Sequence, residues 1–507
     1  MPPGDSVGRP PSSLLGQTHR LIEHALTVYS GSAPRAEAPV RQRLMDLRRR
    51  LDAPLRVAVA GRVKAGKSTL LNALIGERLA PTDAGECTRV VTWYTDGHTY
   101  QVTLTRPDGS SRQARFGRQD GPIEIDLAGE APDQLHSITI SWPSQALRRS
   151  TLIDTPGIGS LSEQIARRTW ELLASDDEVT PADAVIYLMT HAHRDDVEFL
   201  AGFHDREVSR PNPVNAIAVL SRADEIGAGR ADALRSAAAI ARRLAADPQV
   251  RRVAQTVVPV AGLLAQTATT LTEREAKQLE LIAALPAPDA ELLLLSADRF
   301  VTTLPDLGLS TAERTALLDR FGLFGLRAAL TVLRRRTVTA SELARELTAV
   351  SGLDDLNAVL QSLFHERAEL LKSRSALLGV DALVRRHPVP GATALAAAVE
   401  QILAGAHPLH ELRVLSSLRA GWVTGRPEVL AELEQVIGGA GQSVTSRLGL
   451  PPDAGPTSRR QAATSALLAW QRRAESPLCP RQLAVAARVA IRTCEGIITE
   501  ESGGHHV

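Results

Sequence analysis

Between Leu55 and Leu264 the apolar positions change period several times. The continuous run Val57-Ala58-Val59-Ala60 stops at Gly61, which reads as a buried strand feeding a glycine loop. Helical spacing follows over Thr69–Ile75 and ends near Gly76. Val90–Tyr94, Gln101–Leu104 and Ile138–Trp142 alternate or run apolar around turns at Asp96-Gly97 and Pro107-Asp108-Gly109. Strands return at Thr151–Ile153, Ala184–Leu188, Ala216–Leu220 and Val257–Val260, with helical patterns at 163–174, 194–206 and 230–246. Strands alternating with helices predict a mixed, mostly parallel sheet with right-handed crossovers.

On either side of this α/β region the spacing is helical throughout. Leu21-Ile22-Ala25-Leu26 and Val40-Leu44-Leu47-Leu51 mark two amphipathic helices ahead of it. Behind it come helical patterns at 274–284, 310–335, 341–349, 353–386, 392–404, 408–418, 427–437, 458–474 and 480–499. Turns between antiparallel helices fall at His387–Gly391 and Gly449–Pro456. The chain therefore divides into a Pro/Gly/Ser-rich, disordered tail (1–16), N-terminal helices (17–53), an α/β domain (54–270), a helical extension (271–350) and a long helical bundle (351–507).

Composition sets limits on this picture. At 507 residues the chain exceeds the ~250–300 that one hydrophobic core supports. Aromatics are 3%, so the core rests on Leu, Ala and Val, which suits helices. Lys+Arg 58 against Asp+Glu 57 leaves no global basic field, and no nucleic-acid partner is expected. Cys87, Cys479 and Cys494 are too scattered for a disulfide framework, which fits a reducing cytoplasm. The start lacks a secretory pattern, and no run of ~18 apolar residues predicts a spanning helix. There are only four lysines, and two of them, Lys64 and Lys67, lie within one loop.

That loop, Gly61-Arg62-Val63-Lys64-Ala65-Gly66-Lys67-Ser68, sits between strand and helix as a phosphate-binding loop requires. Gly61, Lys64, Ala65, Gly66 and Thr69 are expected to wrap phosphate oxygens. Lys67 reaches the β- and γ-phosphates, and the Ser68 hydroxyl serves Mg²⁺. Asp154-Thr155-Pro156-Gly157 ends the next central strand. Asp154 is the second candidate for the magnesium shell, and the Gly157 N–H is aimed at the γ-phosphate. Ser221-Arg222-Ala223-Asp224 then resembles the guanine-specificity motif, with Ser221 in place of Asn or Thr and Arg222 in place of Lys. An ionised Asp224 accepts from N1–H and the 2-amino group of guanine but finds no donor at adenine N1. Arg222 offers a flat guanidinium and stem to stack on the base. Ala261 and Gly262 follow the last strand, where a backbone N–H can meet guanine O6. Thr88, directly before a strand, is the candidate for ordering Mg²⁺ and the attacking water, with Thr82 as alternative. The ligands implied are GTP or GDP with Mg²⁺.

Together with Cys87-Thr88-Arg89-Val90, Ser221–Arg230, Val258–Leu264 and Arg320-Phe321-Gly322-Leu323-Phe324-Gly325, these motifs resemble the bacterial dynamin-like GTPases, in particular the isoniazid-inducible proteins of actinobacteria. The resemblance covers most of residues 17–500. It implies a P-loop GTPase domain with a long α-helical neck and stalk bundle, hydrolysis of GTP, self-assembly, and membrane remodelling or repair. Its implied partners are a second copy of the chain, a second related dynamin-like GTPase, and an anionic membrane surface at the inner face of the cell membrane. Dynamins place Gln and Ser where this chain has Val63 and Lys64. Catalysis would then fall to Lys67, Thr88 and Lys64, the last substituting its ammonium for a bound monovalent cation. Two other functions stay open at this point: a GTP-binding scaffold with little hydrolysis, and an RNA- or ribosome-associated assembly GTPase. His191 and His193 lack partners at metal-ligand spacing. Arg334–Arg336 and Arg385-Arg386-His387 both read as solvated helix faces, with lipid contact as the alternative for the second, which abuts a Pro/Gly helix tip where the resemblance implies a membrane loop.

Overall fold

The computed structural model describes residues 13–30, 38–80, 90–117, 123–127, 129–156, 182–190, 215–227, 229–230, 232–302 and 308–503. The helical patterns at 163–174 and 194–206, together with Cys87, His191 and His193, lie outside the described residues.

Eleven strands follow in chain order among these residues: β1 Leu55–Gly61, β2 Val91–Thr95, β3 Gln101–Thr105, β4 Ser111–Ala114, β5 Phe116–Gly117, β6 Glu124–Ile125, β7 Ser137–Ser141, β8 Ser150–Asp154, β9 Ala184–Met189, β10 Ala216–Leu220 and β11 Val257–Pro259. Nine form one sheet in the order β11-β10-β9-β1-β8-β2-β7-β3-β4, while β5 and β6 pair separately. β1 lies between β8 and β9 and is parallel to both. β9, β10 and β11 continue in parallel, whereas β2 is antiparallel to β8. The sheet is thus mixed, and parallel from β8 through β1, β9 and β10 to β11.

Period-2 geometry sends alternate residues of β1 to opposite faces. Val57 and Val59 join a core with α1 (Leu14–Val28), α2 (Ala38–Asp52) and leucines between Leu353 and Leu412. Ala58 and Ala60 face a second core under the helix Ala233–Ala246. Both faces being covered explains the unbroken apolar runs of the central strands. A third core unites Ala261 to Leu347, and a fourth, from Leu415 to Cys494, belongs to the last helices. One hydrophobic core therefore runs from the sheet directly into the helical bundle.

Polar contacts fix that junction. Arg50 of α2 and Asp183, 2% and 1% exposed, form a buried pair with Nη2–Oδ1 at 2.6 Å, and the Arg56 amide donates to Asp183 Oδ2 at 2.9 Å. Lys372 donates to the Leu51 and Ala53 carbonyls at 2.7 and 3.0 Å, closing the C-terminus of α2.

Four of the differences from the sequence pattern bear on the helices. α1 starts at Leu14, capped by the Ser13 side chain, so residues 14–16 belong to a helix and not to a tail. The expected single helix 353–386 is two helices, Leu353–Leu360 and Ala368–Arg386, separated by a π turn at Gln361–His365. Leu360, Leu363 and Phe364 stay buried through the break, so the apolar spacing does not register it. Thr311–Leu333 is kinked at Gly322, and Gly262–Thr269 forms a helix that the apolar pattern did not announce.

Candidate nucleotide-binding site

The phosphate loop leaves the sheet at the carboxyl end of β1. Gly61 has no room for a side chain, since a Cβ there would lie 2.5 Å from the Leu188 carbonyl oxygen of β9. The loop then turns at Lys64 (φ 63°), where the Ala65 amide donates to the Arg62 carbonyl at 3.2 Å. Gly66, in the left-handed region at φ 89°, caps α3 (Lys67–Ile75) with no side-chain acceptor. The first-turn N–H groups of α3 therefore have neither an intrahelical acceptor nor a capping side chain, an anion-seeking arrangement.

Lys67 curls across this loop, donating to the Gly61 and Arg62 carbonyls at 3.2 and 3.1 Å. Burial lowers its pKa from the ordinary lysine value, and the charge of Asp154 opposes that shift. Ser68 Oγ stands 3.3 Å from Asp154 Oδ2 at the end of β8. Asp154 is buried, and desolvation pushes its carboxyl up to about 6 against the pull of Lys67 and the Ser68 hydrogen bond. Its Oδ1 is buried with no hydrogen-bond partner among the described residues. A hydroxyl beside a carboxylate with one orphaned oxygen is a hard-oxygen donor set, which fits a magnesium ion. Next to it, Thr155 bonds the Val59 carbonyl through its amide and hydroxyl, locking β8 to β1.

A cavity of about 220 Å³ opens beside the loop, walled by Gly66, Thr69, Ser221, Arg222, Asp224 and Gly262. Arg222, left-handed at φ 53°, donates through Nη2 to the Lys64 carbonyl at 2.8 Å and through Nη1 to Glu225 at 2.9 Å. It thereby bridges the base end of the cavity to the phosphate loop. Burial raises the pKa of Asp224 above its usual value.

Ser221 lines the cavity, and its hydroxyl donates to the Met189 carbonyl at 3.3 Å, tying β10 to β9. One expected contact needs correction. The Ala261 amide donates to the Ser351 carbonyl at 2.9 Å, so it is not free for a base oxygen, while Gly262, the first residue of the next helix, lines the cavity. Lys64, Ala65, Gly66, Lys67, Ser68, Thr69, Asp154, Arg222, Asp224 and Gly262 are brought to one end of the sheet, while Thr88, Thr82, Arg89 and Gly157 lie outside the described residues. Spacing did not reveal Asn72, a fully buried carboxamide on α3 that accepts from the Leu79 and Ala80 amides at 2.9 and 2.7 Å and donates to Gln266 at 3.2 Å. Its one signal is a lone Asn inside the apolar stretch Leu70–Ile75. No described helix is long and apolar enough to cross a membrane.

A phosphate loop at the switch point of an open sheet, with a base pocket two strands away, defines a P-loop nucleotide-binding protein. The family model described as the Dynamin family matches residues 57–222. Isoniazid-induced protein IniC of Mycobacterium tuberculosis is 39% identical over 485 residues, covering 95% of this chain and 98% of IniC. IniA of the same organism is 27% identical over 279 residues, 54% of this chain and 40% of IniA. The bacterial dynamin-like protein of Nostoc punctiforme is 50% identical over 115 residues, 20% of this chain and 16% of that protein. The chain belongs to the dynamin family of GTPases, in the isoniazid-induced group that includes IniC. Binding of GTP and GDP and hydrolysis of GTP are the activities of that family.

Proposed function

We propose that this chain hydrolyses GTP to GDP and phosphate with Mg²⁺ and couples the cycle to self-assembly and membrane remodelling or repair. The observation that carries the reading is that β1, β8 and β10 bring Lys67, the Ser68–Asp154 pair and Asp224 to one end of the sheet, where a cavity walled by Gly66, Thr69 and Asp224 opens beside the phosphate loop. Lys67 neutralises the β- and γ-phosphates, and the first turn of α3 donates to their oxygens. Ser68, Asp154 and Thr88 would hold the magnesium ion. When bound, it offsets charge on the triphosphate. Thr88 and the Gly157 N–H orient the water that attacks the γ-phosphorus, and the bond to the β–γ bridging oxygen breaks to leave GDP. Lys64, with its carbonyl fixed by Arg222, sets an ammonium beside that bridging oxygen. Asp224 selects guanine, and Gly262 faces O6.

Ordering of Thr88 and Gly157 by GTP, and their release afterwards, is the proposed drive for movement of the helical bundle. A second copy of this chain or a related dynamin-like GTPase is the proposed partner. The tip at His387–Gly391, next to Arg385 and Arg386, is the proposed lipid contact, which would hold the chain at the inner face of the membrane.

Phosphate release from GTP, with and without magnesium and anionic vesicles, tests the reading. Lys67→Ala should weaken GDP binding at least ~100-fold. Retained guanine-nucleotide affinity in that variant overturns the assignment, and turnover that depends on K⁺ or Na⁺ over choline overturns the role of Lys64.

A further inference from the structure

The base end of the cavity has two walls, the helix that begins at Gly262 and the stretch carrying Asp224. One segment, Arg320 to Arg327, backs both. It lies in the middle of the helix Thr311–Leu333, which breaks at Gly322 with φ 59° and ψ 173°. That conformation is nearly restricted to glycine, and such strain persists only where surrounding contacts enforce it.

The contacts on the first wall begin at Arg320. Its guanidinium bonds Glu275 at 2.7 Å and the hydroxyl and carbonyl of Thr270 at 3.0 Å each, and the Thr267 hydroxyl donates to its carbonyl. A Cβ added at Gly322 would stand 3.6 Å from Leu263 Cδ2, and one at Gly325 3.2 Å from Leu264 Cδ1. The broken helix therefore lies in close contact with Gly262–Thr269. On the second wall, Arg327 donates through Nη1 to the Gly229 carbonyl and through Nη2 to the Leu294 carbonyl at 2.7 Å. The space a Cβ would fill at Gly229 lies 3.6 Å from the Asp224 carbonyl oxygen and 4.0 Å from Phe324 Cβ. Gly229, beside the Asp224 carbonyl oxygen, is thus held from behind.

We propose that Arg320–Arg327 is a positioning element for purine selection, with Arg327 and the Gly322 break fixing where the Asp224 carboxylate stands relative to the Gly262 helix. This rests on the reading of Asp224 as the contact to the base. A carboxylate displaced by a fraction of an ångström keeps one bond to N1–H and loses the second to the 2-amino group. Discrimination between guanine and hypoxanthine, which lacks that amino group, is the sensitive readout.

GDP and IDP affinities of the full chain are compared for wild type, Arg327→Met, Arg327→Lys, Gly322→Ala and Asp224→Asn. Arg327→Met is expected to weaken GDP about tenfold and to shrink the GDP-over-IDP preference at least threefold, to order of magnitude. Arg327→Lys, which keeps a charged donor for one of the two carbonyls, recovers part of that preference, and Gly322→Ala moves it in the same direction as Arg327→Met. Loss of thermal stability in Arg327→Met and Gly322→Ala with the wild-type preference intact overturns the positioning role. Should Asp224→Asn itself leave the preference unchanged, the base reading fails and takes the proposal with it. If Asp224→Asn abolishes the preference and Arg327→Met does not, only the positioning role falls.

Discussion

The two ends of the parallel strands β1, β8 and β9 are built on opposite terms. At the amino end, charged and polar groups meet partners: Arg50 with Asp183, Lys372 with the carbonyls closing α2, and Ser150 with His365 at 2.8 Å. At the carboxyl end, Lys64 and Arg222 are the two described non-glycine residues with positive φ, and Asp154 keeps a buried oxygen without a partner. A left-handed non-glycine residue costs roughly 1–2 kcal/mol. An unsatisfied buried acceptor costs about 1–3 kcal/mol. The amino end, which locks α2 and the long helices to the sheet, holds its buried charges in such pairs. Both described left-handed non-glycine residues, and one orphaned carboxylate oxygen, lie where a ligand can supply what is lacking.

The largest test of this division is Asp183→Ala. It leaves the Arg50 guanidinium buried without its carboxylate and frees the Arg56 amide, so unfolding free energy should fall by about 3–5 kcal/mol. Denaturant melts measure that loss. GDP affinity of the folded protein should stay within about twofold, as expected for a site remote from the change. A loss of nucleotide affinity as large as the loss of stability would mean that the two ends are not separable.

Legibility in the sequence follows the same line. The carboxyl-end loops could be read because their chemistry needs particular residues at fixed local spacing, as in Gly61–Ser68 and Ser221–Asp224. The central strands could be read because burial on both faces leaves continuous apolar runs. β4 was missed because Ser111–Ala114 is an edge strand whose residues alternate between exposed and half-buried with no apolar stripe. The π turn at Gln361–His365 and the break at Gly322 occur inside stretches whose apolar spacing continues across them. The partners of Ser221 and Ala261 are set by Met189 and Ser351, which are distant in the chain, and no local pattern encodes such ties.

Asn72 sharpens the comparison, because it is a saturated network on the functional side. Its carboxamide holds Leu79 and Ala80, the residues that lead into the stretch containing Thr88, and joins them to Gln266 on the helix that starts at Gly262. Asn72→Ala strands the Ala80 amide in a buried setting, leaves Leu79 only its bond to the Glu77 carbonyl, and should cost about 1–3 kcal/mol. If the network exists to place the Thr88 stretch, turnover of GTP falls much more than affinity for GDP, which has no γ-phosphate for that stretch to sense. Equal losses in both would class Asn72 with Asp183 as a stabilising group.

The smallest effect concerns His365, which joins the π turn to the first residue of β8 through Ser150. Burial first, and the nearby Arg149 charge second, hold its pKa below the ordinary 6.5. The unfolded chain therefore takes up a proton near pH 6.5 while the folded chain resists it. Stability contributed by the neutral ring is complete above pH 6.5, declines as pH falls below 6.5, and levels off beneath the folded-state value. His365→Gln should flatten this part of the stability-against-pH curve relative to wild type, and Ser150→Ala should cost about 0.5–1.5 kcal/mol at neutral pH. Identical slopes between pH 5 and 7.5 for wild type and His365→Gln would show that the contact is not a titrating one. The π turn would then be held to the sheet by a pH-independent hydrogen bond and by the packing of Leu363 and Phe364.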